Sequence, residues 1–132
     1  MDILAGGSRP TRRAPEHAFS GTVWQDPIIV AEAPGLLTAN VVQFEPGART
    51  AWHTHPMGQT LFITAGTGRV QTWGGPIREV RAGDTVWIPA GEKHWHGAGP
   101  GTMMTHISMT EGENGNVVEW LEKFTDEEYA AA

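Results

Sequence analysis

The sequence predicts a single all-β domain, a small antiparallel barrel or sandwich, and three observations carry that expectation. The chain has 132 residues, enough for one domain with one real core. It contains 17 Gly and 9 Pro, well above the ordinary share. These residues do not run together as in a low-complexity chain; they punctuate short apolar segments. The segments recur every 8–12 residues or so, the spacing of a closed antiparallel fold.

Taken in order, residues 1–18 carry Gly, Ser, Pro and Arg without apolar periodicity and read as an irregular arm. Gly21–Trp24 is a short strand and Pro27–Ala31 (PIIVA) a second, whose leading proline suits an edge. Leu36–Phe44 is the first long strand, with Thr38, Asn40, Val42 and Phe44 on one face. Glu45-Pro46-Gly47 turns the chain. Strands then follow over Thr50–His55, Gln59–Ala65, Arg69–Trp73, Ile77–Arg81, Thr85–Ile88, His94–Gly97 and Thr102–Thr110, with Gly- or Pro-containing turns between most of them. Beyond them Val117, Trp120, Leu121 and Phe124 recur at helical spacing and predict a one-faced helix. Thr125 and Glu128 form a capping-box pattern for a second short helix, so 117–131 reads as a helical tail.

Composition excludes several functions. Lys and Arg total 9 against 15 Asp and Glu, a net charge of −6, so no cationic surface for nucleic acid is expected. No apolar run reaches the roughly 18 residues of a membrane-spanning helix, and no secretory signal opens the chain. The absence of cysteine removes disulfides, thiolate nucleophiles and Cys-ligated zinc, and suits a cytoplasmic protein.

The chemistry concentrates in the histidines. His53-Thr54-His55 places two imidazoles on one side of a strand, and the Pro56-Met57-Gly58 turn brings Gln59 back alongside. His94 and His96 repeat the same alternation later. Several converging imidazoles are a metal signal, compatible with Zn, Fe, Ni or Cu, and an amide oxygen suits harder ions such as Mn. The glycines sharpen that signal. Gly47 precedes His53-x-His55, Gln59 and Gly66 at set intervals, and Gly83 precedes Pro89-x-Gly91 and His94.

At these positions the chain resembles the cupin superfamily. The resemblance implies a small antiparallel β-barrel of the jelly-roll kind, with one metal held inside by His53, His55, Gln59 and His94. Two positions depart from the family pattern. Gln59 stands where Glu is usual, and Ala98 where Asn often closes the second motif. Three imidazoles and an amide are all neutral, so the ion keeps its full 2+ charge, which favours Lewis-acid chemistry over oxygen activation.

A finer resemblance runs from about residue 20 onward. The strings FEPGARTAWHTHP, GQTL, GEKHWHGA, MTHIS and TDEEY are similar to those of bacterial cupin-type hydroxynitrile lyases. That likeness implies Mn2+ as cofactor, with Fe2+, Ni2+ and Zn2+ as alternatives, and a reaction that cleaves and forms (R)-cyanohydrins such as mandelonitrile. By the same carry-over His96 and His106 are the catalytic histidines, and Asn40, Val42 and Thr110 line the substrate pocket. Trp52, Trp87 and Trp95 alternate against the histidine faces and are expected to pack, and His17 is expected in solvent. The rival classes are a cupin dioxygenase using Fe or Mn in the same site and a non-catalytic small-molecule sensor. The apolar edge PIIVA, with the habit of the superfamily, implies a homo-oligomer, dimer or tetramer.

Overall fold

A computed structural model describes every residue from Met1 to Ala132. Twelve strands and one helix make a curled two-walled sheet. The strands are β1 (Arg12–Arg13), β2 (Phe19–Ser20), β3 (Val23–Val30), β4 (Leu37–Phe44), β5 (Arg49–Thr50), β6 (His53–Thr54), β7 (Gln59–Thr72), β8 (Ile77–Arg81), β9 (Thr85–Ile88), β10 (His94–Ala98), β11 (Met104–Glu111) and β12 (Glu119–Trp120). The helix, α1, spans Asp126–Ala131. No helix is long and apolar enough to cross a membrane.

Strand β7 organises the whole. Its first half pairs with β11 and β9, and its second half with β10 and β8. The first wall therefore runs β1-β3-β4-β11-β7-β9, and the second runs β2-β5-β10-β7-β8, with β6 and β12 added at β10. The chain passes from one wall to the other at Gly66 and Gly68. Gly66 has φ +75°, and a Cβ there would lie 1.9 Å from the Met103 carbonyl oxygen. A Cβ on Gly68 would lie 2.4 Å from the carbonyl oxygen of Gly97. Only glycine permits so close a crossing. A register shift opposite Thr105/His106 leaves one extra β7 residue, and such a bulge sharpens the bend.

Between the walls lies the main core, including Phe19, Val23, Val42, Phe44, Ile63 and Met104. A second cluster, Trp52, Trp95, Phe124 and Tyr129, sits beneath the C-terminal segment. Trp52 and Trp95 are buried as expected, whereas Trp87 is 62% exposed on the outside of the edge strand β9. His17 is exposed.

Several expectations need correction. Gln59–Ala65 and Arg69–Trp73 join in one strand, β7, and Thr50–His55 is divided between β5 and β6. Gly21–Trp24 and Pro27–Ala31 are not separate: they fuse into β3, with a register shift between Pro27 and Ile29 that absorbs the proline. The arm is not wholly irregular, because Arg12–Arg13 pairs with Trp24–Gln25. The segment 117–124 is extended rather than helical. Its apolar side chains serve different partners: Trp120 packs on Phe19 with ring centroids 5.4 Å apart, and Phe124 stacks on Trp95 at 4.4 Å. Its backbone is satisfied by Trp52, whose N–H donates to Glu122 and whose carbonyl accepts from Leu121, at 2.9 and 2.8 Å. The capping box at Thr125 and Glu128 does start α1.

Candidate metal centre and acid–base site

The first histidine pair stands on β6 and the residue that follows it. Gly58, at φ +81°, lets the chain double back to Gln59, since a Cβ there would lie 2.7 Å from the Ile88 carbonyl oxygen. His94 opens β10 directly opposite His53. His53, His55, Gln59 and His94 are all buried, and the rings of His53 lie 4.1 Å from His94 and 5.0 Å from His55, centroid to centroid.

Each of these three imidazoles is locked by its backbone surroundings. The Nδ1–H of His53 donates to Ala51 at 2.8 Å, that of His55 to Val117 at 2.7 Å, and that of His94 to Glu92 at 2.8 Å. A carbonyl oxygen only accepts, so in each neutral ring Nδ1 carries the proton and Nε2 keeps its lone pair. Neutrality is enforced by burial. It pushes His94 down to about 4, helped by the neighbouring His55, and lowers His55. Burial first, then the proximity of His94 and His55, holds His53 well below its ordinary 6.5.

Gln59 supplies the fourth donor. Its amide nitrogen donates to Ser108 Oγ at 2.8 Å, which turns Oε1 inward to 3.1 Å from His94 Nε2. Two lone pairs face each other there. Neutral acceptors in such contact call for a cation between them, and the buried Nε2 of His55 has no partner at all. The residues present therefore fit a divalent metal. Nitrogens of His53, His94 and His96 also lie within 4.8 Å of one another. His96 nonetheless differs from the rest, because its Nδ1 faces a side chain instead of a backbone carbonyl.

That side chain is His106. His106 Nε2 lies 3.0 Å from His96 Nδ1, while His96 Nε2 and His106 Nδ1 are buried without partners. The two rings come from consecutive strands laid along one edge of β7, opposite Val70 and Ile63 respectively. The bend of β7 turns those two stretches face to face. Burial pushes His106 down to about 4, and burial with the nearby His106 and His53 holds His96 well below 6.5. A neutral pair sharing one hydrogen bond has a fixed inventory at its outer ends. Either His106 donates, leaving a lone pair on His106 Nδ1 and an N–H on His96 Nε2, or the roles reverse. In both tautomers the dyad offers one base and one acid.

These groups open onto a cavity of about 180 Å3 between the walls. Asn40, Val42 and Thr110 line it together with His53, His55, Gln59, His96 and His106; His94 contributes through its contact with Gln59. Gln25, Thr50, Ser108 and Trp120 also line it and were not anticipated. Trp120, 4.6 Å from the His53 ring, was hidden by the helical reading of its segment. Gln25 was findable, because alternation along β3 puts it on the same face as buried Val23. A larger open groove of about 560 Å3, on the outside around Trp87 and Pro76, reaches His94 but none of His53, His55, Gln59, His96 and His106.

Residues 40–107 match the Cupin domain family model. The chain is 51% identical over 129 residues to a protein named (R)-mandelonitrile lyase from Granulicella tundricola, covering 98% of both chains. Among solved structures it is similar to a cupin-like protein from Thermotoga maritima, with a TM-score of 0.86 and 39% identity over 100% of this chain and 97% of that one. It shares the fold of the polyketide cyclase RemF from Streptomyces resistomycificus, with a TM-score of 0.75 and 17% identity over 98% and 90% of the two chains.

Proposed function

The chain belongs to the cupin family, and from that premise we propose that it is a metal-dependent lyase that cleaves and forms (R)-cyanohydrins of the mandelonitrile type. The observation that carries this reading is the neutral His96–His106 dyad beside three backbone-locked imidazoles. The 51% identity to a protein named (R)-mandelonitrile lyase supports the choice of substrate. We propose a cytoplasmic location, with which a chain without cysteine is compatible.

His53, His55, Gln59 and His94 would hold one divalent ion, Mn2+ in the first place and Fe2+, Ni2+ or Zn2+ as alternatives. When bound, the ion supplies Lewis acidity that makes a nearby hydroxyl easier to deprotonate. The dyad does the rest. Its lone-pair nitrogen takes the hydroxyl proton of the cyanohydrin. The oxygen's electrons form the carbonyl, the bond to the nitrile carbon breaks, and cyanide leaves with that electron pair. The N–H at the other end of the dyad protonates the cyanide. A proton passing from one ring to the other across the 3.0 Å hydrogen bond keeps the pair neutral throughout. Aldehyde and hydrogen cyanide are the products, and the same atoms serve the reverse direction.

Release of cyanide from (R)-mandelonitrile by metal-loaded and chelator-stripped protein tests the proposal. The loaded protein is expected to release cyanide far above the free-metal background, with preference for the (R) enantiomer. No release above that background, or oxygen consumption in its place, would remove the lyase reading in favour of an oxygenase.

A further inference from the structure

Gln25 and Asn40 also border a second pocket of about 290 Å3, whose other walls include Arg9 and Arg12. Strand register explains the placement. Arg12 is directly opposite Gln25, Gln25 is opposite Val42, and Val42 is opposite His106. Directly opposed residues share a face of the sheet. One cross-strand row therefore runs from the catalytic histidine through two cavity-lining residues to an arginine. Three inter-strand steps separate the Cα atoms of Arg12 and His106, about 14 Å.

The charges along this route all have one sign. No carboxylate lines either the cavity or the outer pocket, in a protein with 15 acidic residues. The salt bridges of the molecule involve Arg49, Arg81 and Lys93, and neither Arg9 nor Arg12 is in one. Arg9 is tied down by Nη1, which donates to the Ile28 carbonyl at 3.0 Å, while the Arg12 guanidinium makes no hydrogen bond. Asp26 accepts from the Thr11 hydroxyl and shares a separate pocket with Arg9, while alternation along β3 puts it on the face opposite to that of Gln25 and Arg12. Two arginines, one anchored and one free, in a pocket that shares Gln25 and Asn40 with the neutral cavity are the donors a planar anion needs.

We infer that the substrate carries a carboxylate at its far end, held by Arg12 with Arg9, while its reacting carbon lies at the histidines. This rests on the cyanohydrin reading for the reacting end only. The substrate class is thus an acidic aldehyde and its cyanohydrin, and Arg12 is a specificity-determining residue.

Equilibrium binding separates the two ideas. Metal-loaded protein is titrated calorimetrically with 4-formylbenzoate and with benzaldehyde, and cyanide release is then compared for 4-carboxymandelonitrile and mandelonitrile. The carboxylated aldehyde is expected to bind about tenfold more tightly, and kcat/KM to favour its cyanohydrin by a similar factor. Arg12→Gln should collapse both ratios toward one, Arg12→Lys should retain part of them, and high salt should shrink them. Equal binding of the two aldehydes by the parent overturns the inference, as does a preference that survives both Arg12→Gln and the Arg9→Gln/Arg12→Gln double variant. A binding preference that depends on Arg12, without cyanide release from either cyanohydrin, upholds the anion site and removes the cyanohydrin reading.

Discussion

Gln59 presents its oxygen to the site because its nitrogen is spent on Ser108, and the His94 lone pair faces that oxygen at 3.1 Å. An amide there leaves a bound ion its full charge, and a carboxylate would reduce it by one. Gln59→Glu should therefore bind metal at least as tightly yet cleave mandelonitrile roughly ten- to a thousandfold more slowly, one to three steps of 1.36 kcal/mol. Metal per chain and cyanide release, measured on one preparation, check this. A fully metallated variant as fast as the parent would make the amide incidental. His106 is tested differently. His106→Ala strands His96 Nδ1 and removes one end of the proton path, so cyanide release should fall about 10²- to 10⁴-fold with metal content unchanged. Loss of metal in that variant would assign His106 to the ion rather than to the proton.

At the scale of elements, the C-terminal segment acts as a strap across the second wall. The Val117 carbonyl orients His55, β12 pairs with β6, and Trp120 covers His53. Its far end is clamped by buried Arg49. Nε and Nη2 both donate to the Phe124 carbonyl, at 3.0 and 2.8 Å, Nη2 also reaches Asp126, and the guanidinium lies 4.8 Å from the Tyr129 ring centre. Asp126 is exposed and adds little, so the buried carbonyl and the ring carry the clamp. Arg49→Ala should cost about 3 kcal/mol, the loss of charge-assisted bonds to a buried acceptor. Because the strap also aims His55, the variant should hold metal more weakly. Thermal melts of stripped and loaded protein check both effects, and an unchanged metal affinity would make the strap purely structural.

For the whole molecule, five buried imidazoles set the response to acid. All five have folded values below the ordinary 6.5, two of them at about 4. Between those limits the unfolded chain binds protons that the fold refuses. Stability must then fall as pH drops from about 6.5 toward 4 and be fully present above 6.5. Urea midpoints of metal-stripped protein at pH 7.5 and 5 should show the loss, and equal midpoints would contradict it. The outer edge of β3 beyond Gln25, from Asp26 to Val30, pairs with no strand of the same chain. A second copy is the partner expected to cover this apolar edge. Sedimentation at micromolar concentration should give a dimer or a larger assembly, and the mass of one chain would exclude it.

The sequence by itself determined the local matters: where the chain turns, which residues alternate along a strand, and that His53, His55 and Gln59 share one side. Glycines at positive φ and the period of two are properties of a few adjacent residues, so they can be read without a fold. The capping box at Thr125 was legible for the same reason. Only the tertiary structure decided what depends on distant register. The dyad exists because β7 bends at Gly66 and Gly68 and turns the strands of His96 and His106 toward each other. The row from Arg12 through Gln25 and Val42 to His106 crosses four strands whose pairing no periodicity reports. The segment 117–124 shows the same limit from the other side. Its spacing of three and four suits a helix, but a helix needs one apolar neighbour along its length. Here Trp120 is drawn into the barrel by Phe19 and His53, and Phe124 onto Trp95. Packing partners far away in the chain outweighed the local preference.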